Sequence, residues 1–153
     1  MKIREIMTNR LVTVQPTESV SRAARLMRDA DIGDVLVTDN GGHQMGILTD
    51  RDIAVRVVAQ EKDLSQAQVG DFMSRDLYTA SPDTDVEDAA DMMAQRQVRR
   101  LPIVEGDRFV GIVSLGDLAV DMEKMGIEAQ SPAGEALEDI SKPAEPRLER
   151  VMM

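Results

Sequence analysis

Apolar and polar positions follow the same order twice along the 153 residues of the chain. In each half, a short apolar run ends at a proline, and apolar residues at helical spacing follow. Two further apolar runs then flank a turn and lead into a second helical stripe. Short apolar runs between turn residues indicate strands, whereas spacings of three and four residues indicate amphipathic helices. The pattern therefore predicts a β-α-β-β-α unit in each half.

Turn and capping residues set the predicted ends of these elements. Pro16 ends the first strand, Thr17 caps the first helix, and Gly126 caps the last helix at its C-terminus. Strands are predicted for residues 11–14, 35–37, 45–48, 77–80, 101–104 and 109–113. Besides the helix that follows Thr17, helices are predicted for residues 50–59, 85–95 and 115–125.

The two units are copies of one another. Met7, Leu11, Thr13, Pro16, Val20, Ala23, Ala24 and Met27 recur 66 positions later, and Gly46, Ile47, Asp52 and Ala54 recur 65 positions later. One small sheet cannot cover both of its faces, so the copies are expected to pack together. The predicted fold class is α/β (α+β), with two repeats packed as one pseudo-symmetric module. The first repeat with its linker takes residues 1–66, the second takes 67–125, and 126–153 form an acidic, mostly flexible tail.

Composition narrows the range of functions. The formal net charge is −10 and aromatic residues make up 2% of the chain, which argues against nucleic acid as a partner. Cysteine is absent, so disulfides and thiolate metal sites are excluded. No apolar run is long enough to cross a membrane and the first residues do not resemble a signal peptide. We therefore expect a cytoplasmic protein without a membrane partner.

Each copy ends in a glycine-containing strand followed by a hydroxyl residue and then, three positions later, an aspartate. Thr49 precedes Asp52 in the first copy, and Ser114 precedes Asp117 in the second. A hydroxyl that caps a helix leaves backbone N–H groups and a carboxylate facing the end of the strand. Such an ending is a plausible place for a ribose and a phosphate. The alternative is that both aspartates only stabilise the starts of their helices.

The sequence favours neither catalysis nor a metal site. His43 is the only histidine, and no serine and carboxylate pattern accompanies it. One histidine and no cysteine leave only carboxylates as metal ligands. We predict no catalytic residue, no metal ion and no enzymatic activity.

Several motifs together resemble a tandem pair of CBS domains, the module named after cystathionine β-synthase. They are Ile-Met-Thr at residues 6–8, Val-Thr-Val-Gln-Pro at 12–16, Val-Arg-Arg-Leu-Pro-Ile-Val at 98–104 and both Gly-x-x-Thr/Ser-x-x-Asp endings. The resemblance covers roughly residues 1–125. The whole chain is similar to small stand-alone bacterial CBS proteins of the hypoxic response protein type, which carry no attached enzyme or transporter.

The resemblance implies a regulatory module that binds an adenosyl compound in the cleft between its repeats. AMP, ADP, ATP or S-adenosylmethionine would be the bound ligand, and no cofactor is required. The strand before each proline borders the base in that family, and the basic residues before the second strand meet phosphates. The implied ligand-binding residues are Thr13, Val14, Gly46, Thr49, Arg51, Asp52, Thr79, Ala80, Arg99, Arg100, Gly111, Ser114 and Asp117.

The two repeats differ at the basic positions. Arg99 and Arg100 lie before a strand of the second repeat, where the first repeat has Gly33 and Asp34. Because a carboxylate repels phosphate, Asp34 disfavours phosphate near it unless its side chain points away. The site of Thr49 would then have to borrow Arg51 or an arginine of the other repeat. We expect unequal sites.

Two functions remain open from the sequence. The first is a dimeric sensor of an adenosyl ligand, and the second is a ligand-independent interaction or stress-response module whose tail recruits a protein partner. CBS pairs commonly dimerise through their helices. Here the leading helix of repeat 1 is basic and its counterpart in repeat 2 is acidic, so a homodimer would favour opposite repeats facing each other.

Overall fold

The computed structural model describes residues 1–124 and Gly126, and it shows two related mixed units of helix and strand. The first unit contains β1 (Thr13–Val14), α1 (Val20–Ala30), β2 (Asp34–Thr38), β3 (Gln44–Thr49) and α2 (Asp50–Asp52), which continues as a π-helix over Ile53–Val58. The second contains α3 (Val69–Phe72), α4 (Val86–Arg96), β4 (Arg100–Glu105), β5 (Arg108–Ser114) and α5 (Leu115–Lys124). A 3-10 turn at Ile3–Glu5 precedes them. The predicted fold class is confirmed.

Each unit is built on an antiparallel hairpin. β2 pairs with β3, and β1 adds to β2 in parallel, which gives a three-stranded sheet. β4 pairs with β5 in the second unit. There the place of β1 is taken by a single parallel bridge from Ala80 to Ile103.

The two units exchange their N-terminal segments. Thr8 of the first repeat forms an antiparallel bridge with Ile112, and Ser74 of the second repeat forms the equivalent bridge with Ile47. Both bridges carry two backbone hydrogen bonds of 2.8–3.1 Å. Each repeat therefore extends the sheet of the other, and the junction between the repeats consists of backbone as well as side chains.

The hydrophobic cores follow the same exchange. Ile3 is fully buried in the core that holds α4, β4 and β5, whereas Val69 and Met73 are buried in the core of the first unit. The first core also contains Val14, Val20, Ala23, Met27, Val35, Val37, Leu48, Ile53 and Val57. Each hydrophobic core therefore contains residues from both sides of the predicted repeat boundary at residues 66 and 67. That boundary itself stays a prediction.

Three predicted element boundaries were wrong. Helix α1 is capped by Ser19 and not by Thr17, because the Ser19 hydroxyl accepts the Arg22 N–H at 3.1 Å. The strand predicted for residues 77–80 is reduced to its last residue, because the N–H of Leu77 donates to the carbonyl of Arg75 in a local turn. The helix predicted for residues 50–59 is α-helical only at its start.

The segment between the two repeats, residues 60–68, contacts the start of α1. The N–H groups of Val20 and Ser21 donate to the carbonyls of Ala67 and Leu64 at 2.8 and 2.9 Å. The short helix α3, which follows this segment, was missed because four residues carry too little periodicity to predict it.

The last helix ends close to the predicted position. Gly126 has a φ of 69°, the left-handed conformation expected of a C-terminal glycine, and its N–H donates to Glu123 at 3.0 Å. Met125 and the tail beyond Gly126 lie outside the described residues. Within residues 1–124, none of the helices has the length and apolarity needed to span a membrane.

Candidate functional site

A cleft opens where the two repeats meet, and both repeats line it. Its volume is about 280 Å³, just below the range of roughly 300–1,000 Å³ that is typical of small-molecule sites. The lining consists of Thr8, Arg10, Leu11, Val12, Asp31, Ile32, Gly33, Asp34, Leu36, Arg100, Ile112, Ser114 and Asp117. The first repeat supplies the segment before β1 and the segment that joins α1 to β2. The second supplies the ends of its hairpin and the start of α5.

One wall of the cleft is apolar. It is formed by Leu11, Val12, Ile32, Leu36 and Ile112. Leu36 is 2% exposed and fixed in the middle strand of its sheet, whereas the other four are half-buried. Half-buried aliphatic side chains in a cleft offer contact area to a flat apolar group such as a nucleobase.

The cleft also has polar lining residues, and helix capping fixes two of them, Ser114 and Asp117. The N–H of Asp117 donates to the Ser114 hydroxyl at 3.1 Å, and the N–H of Ser114 donates to Oδ2 of Asp117 at 3.0 Å. This reciprocal pair is a capping box at the start of α5. Within the described part of the chain, Oδ1 of Asp117 accepts no hydrogen bond. It is therefore available to accept from a ligand hydroxyl.

Thr49 and Asp52 form the same arrangement at the start of α2. The two hydrogen bonds measure 3.1 and 3.0 Å, as they do between Ser114 and Asp117. The helix-start role of both aspartates is thus present in the structure. Neither Thr49 nor Asp52 is among the lining residues of the cleft.

A buried ion pair lies in the cleft wall. Nε of Arg100 is 3.0 Å from Oδ1 of Asp34, whose side chain is 8% exposed. The two residues hold equivalent positions in the two repeats, 66 positions apart. Burial raises the pKa of Asp34, the charge of Arg100 opposes this rise, and the neighbouring Asp50 adds to it.

Gly33 makes room for this pair. A Cβ atom at Gly33 would come within 2.7 Å of Nη2 of Arg100 and 3.0 Å of a carboxylate oxygen of Asp50. The guanidinium group therefore lies close to the backbone of Gly33, beside the Asp34 carboxylate. From the sequence, Asp34 is expected to repel a phosphate and Arg100 to bind one. In the structure the two side chains pair with each other, which was not predicted.

The structure brings three of the predicted ligand-binding residues together, namely Arg100, Ser114 and Asp117. The other predicted residues lie outside the lining. They are Thr13, Val14, Gly46, Thr49, Arg51, Asp52, Thr79, Ala80, Arg99 and Gly111. Val14 and Ala80 are core residues, and Arg99 is exposed while its carbonyl accepts the Leu115 N–H at 2.9 Å. Ligand binding by these ten residues stays a prediction.

Two repeated glycines have a packing role that the sequence did not indicate. A Cβ atom at Gly46 would lie 2.6 Å from the carbonyl oxygen of Ser74, and one at Gly111 would lie 2.5 Å from the sulfur of Met7. Both contacts are made by the segment that the other repeat inserts. The glycines therefore allow the two repeats to exchange strands.

Thr8 and Arg10 line the cleft, although the sequence did not indicate that either would. Thr8, Arg10 and Leu11 reach it because the bridge from Thr8 to Ile112 draws this segment onto the second repeat. The recurrence of Met7 and Leu11 in the second copy was the signal that the segment belongs to the repeat. Nothing in one sequence shows which repeat it joins.

His43, the only histidine, lies in the hairpin between β2 and β3. Its Nδ1 is 3.0 Å from Asp39, and its Nε2 is 3.4 Å from Asp107 in the hairpin of the second repeat. It does not line the cleft. In the part of the chain that the structure describes, no three His, Cys, Asp or Glu side chains come together so as to hold a metal ion.

Comparisons with known proteins agree with this architecture. The CBS domain model matches residues 3–59 and again residues 69–123. The CBS domain-containing protein YhcV of Bacillus subtilis (strain 168) is 44% identical over 139 residues, which are 91% of this chain and 94% of YhcV. Hypoxic response protein 1 of Mycobacterium tuberculosis is 32% identical over 116 residues, 76% of this chain and 81% of that protein.

Two solved structures are similar over most of the chain. The crystal structure of hypoxic response protein I with two coordinated zinc ions has a TM-score of 0.72 at 31% identity, covering 78% of this chain and 98% of that one. The CBS domain pair of protein MJ0100, in complex with 5′-methylthioadenosine and S-adenosylmethionine, has a TM-score of 0.74 at 25% identity, covering 82% and 98%.

Proposed function

This chain belongs to the CBS domain family, and from that we propose that it is a regulatory, non-enzymatic module that binds an adenosyl compound in the cleft between its repeats. The observation that carries the proposal is the cleft itself. Aliphatic side chains and a capped helix start line the same cleft, and within the described residues Asp117 has an unoccupied carboxylate oxygen. The complex of the MJ0100 domain pair with two adenosyl compounds supports the same ligand class.

The chemistry of the cleft suits the two halves of a nucleoside. The adenine ring would pack on the aliphatic wall that includes Leu11 and Ile32. The ribose hydroxyls would donate to Asp117, since hydrogen bonds to a charged acceptor are stronger than neutral ones. Because both repeats contribute to the lining, a ligand would favour the arrangement of repeats that fits it best, which is the physical basis of a regulatory signal.

The dimer expected from the sequence also stays a proposal. The positive charge of helix α1, the basic helix of this expected dimer, is partly neutralised, because Arg22 pairs with Glu18 and Arg28 pairs with Asp29. Arg25 donates to the Ser21 hydroxyl at 3.2 Å. Attraction between α1 and the acidic α4 of a partner would therefore be weaker than a count of charges suggests.

A melting curve tests ligand binding. A compound at a hundred times its dissociation constant adds about 2.7 kcal/mol to the free energy of unfolding. For 153 residues this corresponds to a rise in Tm of roughly 5–10 °C. The protein, stripped of nucleotide, would be melted with AMP, ADP, ATP, 5′-methylthioadenosine and S-adenosylmethionine. We expect at least one of them to raise the Tm.

The matched variants are Asp117→Asn and Asp52→Asn. Asparagine keeps an oxygen for the capping hydrogen bond, and the two capping boxes have equal geometry, so both variants should change the Tm of the free protein similarly. Asp117→Asn should weaken binding in this cleft by about tenfold, because it removes the charged acceptor, whereas Asp52, outside the lining, controls for the change in capping. Absence of any ligand effect in the wild type, or an undiminished effect in Asp117→Asn, would refute the proposal.

A further inference from the structure

We infer that this cleft selects adenosyl compounds whose 5′ group is neutral or cationic, such as a thioether or a sulfonium, over nucleoside polyphosphates. The inference rests on the proposed function, since it concerns the ligand of the same cleft. Three features of the lining support it. They are the excess of negative charge, the ion pair between Arg100 and Asp34, and the N–H groups at the start of α5 that already donate to acceptors within the protein.

The lining carries more negative than positive charge. Its carboxylates are Asp31, Asp34 and Asp117, and its guanidinium groups are Arg10 and Arg100. Arg10 and Asp31 are both exposed, so water and salt screen both charges, and Arg100 pairs with Asp34, which leaves the charge of Asp117 unbalanced. A triphosphate would bring several further negative charges next to these carboxylates. A sulfonium or an amine would instead be attracted by them.

Arg100 is the cation best placed to meet a phosphate, but it already neutralises a buried carboxylate. Asp34 is 8% exposed, and its Oδ1 is 3.0 Å from Nε of Arg100. A phosphate that drew the guanidinium towards itself would leave Asp34 buried with less compensation, and Asp50 repels the same carboxylate. Phosphate binding therefore has to overcome the loss of an existing ion pair.

Three of the four backbone N–H groups of residues 114–117, at the start of α5, already have acceptors within the protein. Helix starts bind phosphate through backbone N–H groups that lack acceptors. Here the N–H of Ser114 donates to Asp117, the N–H of Asp117 donates to Ser114, and the N–H of Leu115 donates to the carbonyl of Arg99. Three donors at this end are thus occupied by the protein itself, and one of their acceptors is a carboxylate that would repel a phosphate.

Calorimetric titration at constant ionic strength tests the inference. The ligands would be 5′-methylthioadenosine, S-adenosylmethionine, AMP, ADP and ATP. We expect the first two to bind most tightly, and ATP to bind at least tenfold more weakly than 5′-methylthioadenosine. An ATP affinity equal to or above that of 5′-methylthioadenosine would overturn the inference and leave the proposed function standing. Failure of all five to bind would overturn the proposed function, and the inference with it.

The variant Asp34→Asn tests whether the ion pair with Arg100 is what weakens the binding of phosphates. It removes one carboxylate and releases Arg100 with little change of shape, so AMP and ATP should bind several-fold more tightly relative to 5′-methylthioadenosine. Asp71→Asn, at an exposed position of α3 outside the lining, removes the same charge and should change none of these affinities. Unchanged phosphate affinities in a folded Asp34→Asn protein would overturn the assigned role of the ion pair. The wild-type series decides the selectivity even if that variant fails to fold.

Discussion

Replacing Arg100 by alanine is expected to lower the free energy of unfolding by about 2–3 kcal/mol at neutral pH. Removal of one member of a buried ion pair usually costs about 3–5 kcal/mol, because the other charge is left without compensation. The cost should be somewhat smaller here, since the Arg100 side chain is 36% exposed although Asp34 is 8% exposed. Urea denaturation of both proteins measures the difference.

The pH dependence of this loss has a defined sign. Burial raises the pKa of Asp34 above its ordinary value, and loss of Arg100 would raise it further. A carboxyl group with a raised pKa in the folded state stabilises that state most at acid pH, and this contribution is lost as the pH rises through the raised pKa. The deficit of Arg100→Ala should therefore shrink as the pH is lowered from about 7 towards the raised pKa of Asp34.

Arg99→Ala is the matched control for this variant. Arg99 is the adjacent residue and is exposed, and among the described residues its side chain makes no hydrogen bond or ion pair, while its backbone carbonyl accepts the Leu115 N–H. Its truncation should change the free energy of unfolding by less than about 0.5 kcal/mol at every pH. Equal losses in the two variants would show that the pairing with Asp34 contributes little.

Gly46→Ala is expected to destabilise the fold by about 1–3 kcal/mol, because the new methyl group would overpack the junction between the repeats. It would lie 2.6 Å from the carbonyl oxygen of Ser74. That oxygen accepts the Ile47 N–H at 3.0 Å, so the backbone cannot retreat without weakening the bridge that joins the repeats. Thermal or urea denaturation measures the loss.

Gly116→Ala provides the comparison. The nearest atom to a Cβ there is the Ser114 hydroxyl at 3.8 Å, which is ordinary contact, and the residue lies in helix α5. Alanine is favoured over glycine in a helix, so stability should stay equal or rise by up to about 1 kcal/mol. A Gly46→Ala protein as stable as the wild type would mean that the contact with Ser74 is looser than the structure indicates.

The repeated strands and helices could be predicted because their apolar spacing is local information. Val35–Val37 is a continuous buried run, and the buried α1 residues Val20, Ala23 and Met27 recur at helical spacing. The wrong element boundaries lie where local hydrogen bonds compete with the predicted helix or strand. The Glu18 carboxylate accepts the Gln15 N–H at 2.6 Å, and the chain forms a turn there before α1 starts at Val20.

The exchange of segments could not be predicted in the same way. Met7 and Met73 are equivalent in sequence, and either could pack within its own repeat or in the other one. The structure places Met73 in the core of the first unit and packs Met7 against the core of the second. That choice depends on the tertiary arrangement, so Thr8 and Arg10 were not expected to line the cleft.

For the candidate site, the sequence predicted the helix capping by Ser114 and Asp117 but not the ion-pair partner of Arg100. Capping depends on residues three positions apart, which a sequence shows directly. The pairing of Arg100 with Asp34 joins residues 66 positions apart in different repeats. The sequence did indicate that the two repeats differ at this position, and the structure shows that the difference creates an ion pair.

The most direct test of the account is an amide NMR titration of the assigned protein with 5′-methylthioadenosine. Binding in the cleft predicts the largest shift changes at its lining, at Gly33, Ile112, Ser114 and Asp117. The amide shifts of residues in the turn between β2 and β3, such as Gly42, should hardly change, since this turn is outside the lining. Saturable shifts confined to the cleft would support the adenosyl site. An unchanged spectrum at millimolar ligand, or shifts concentrated away from the cleft, would contradict it.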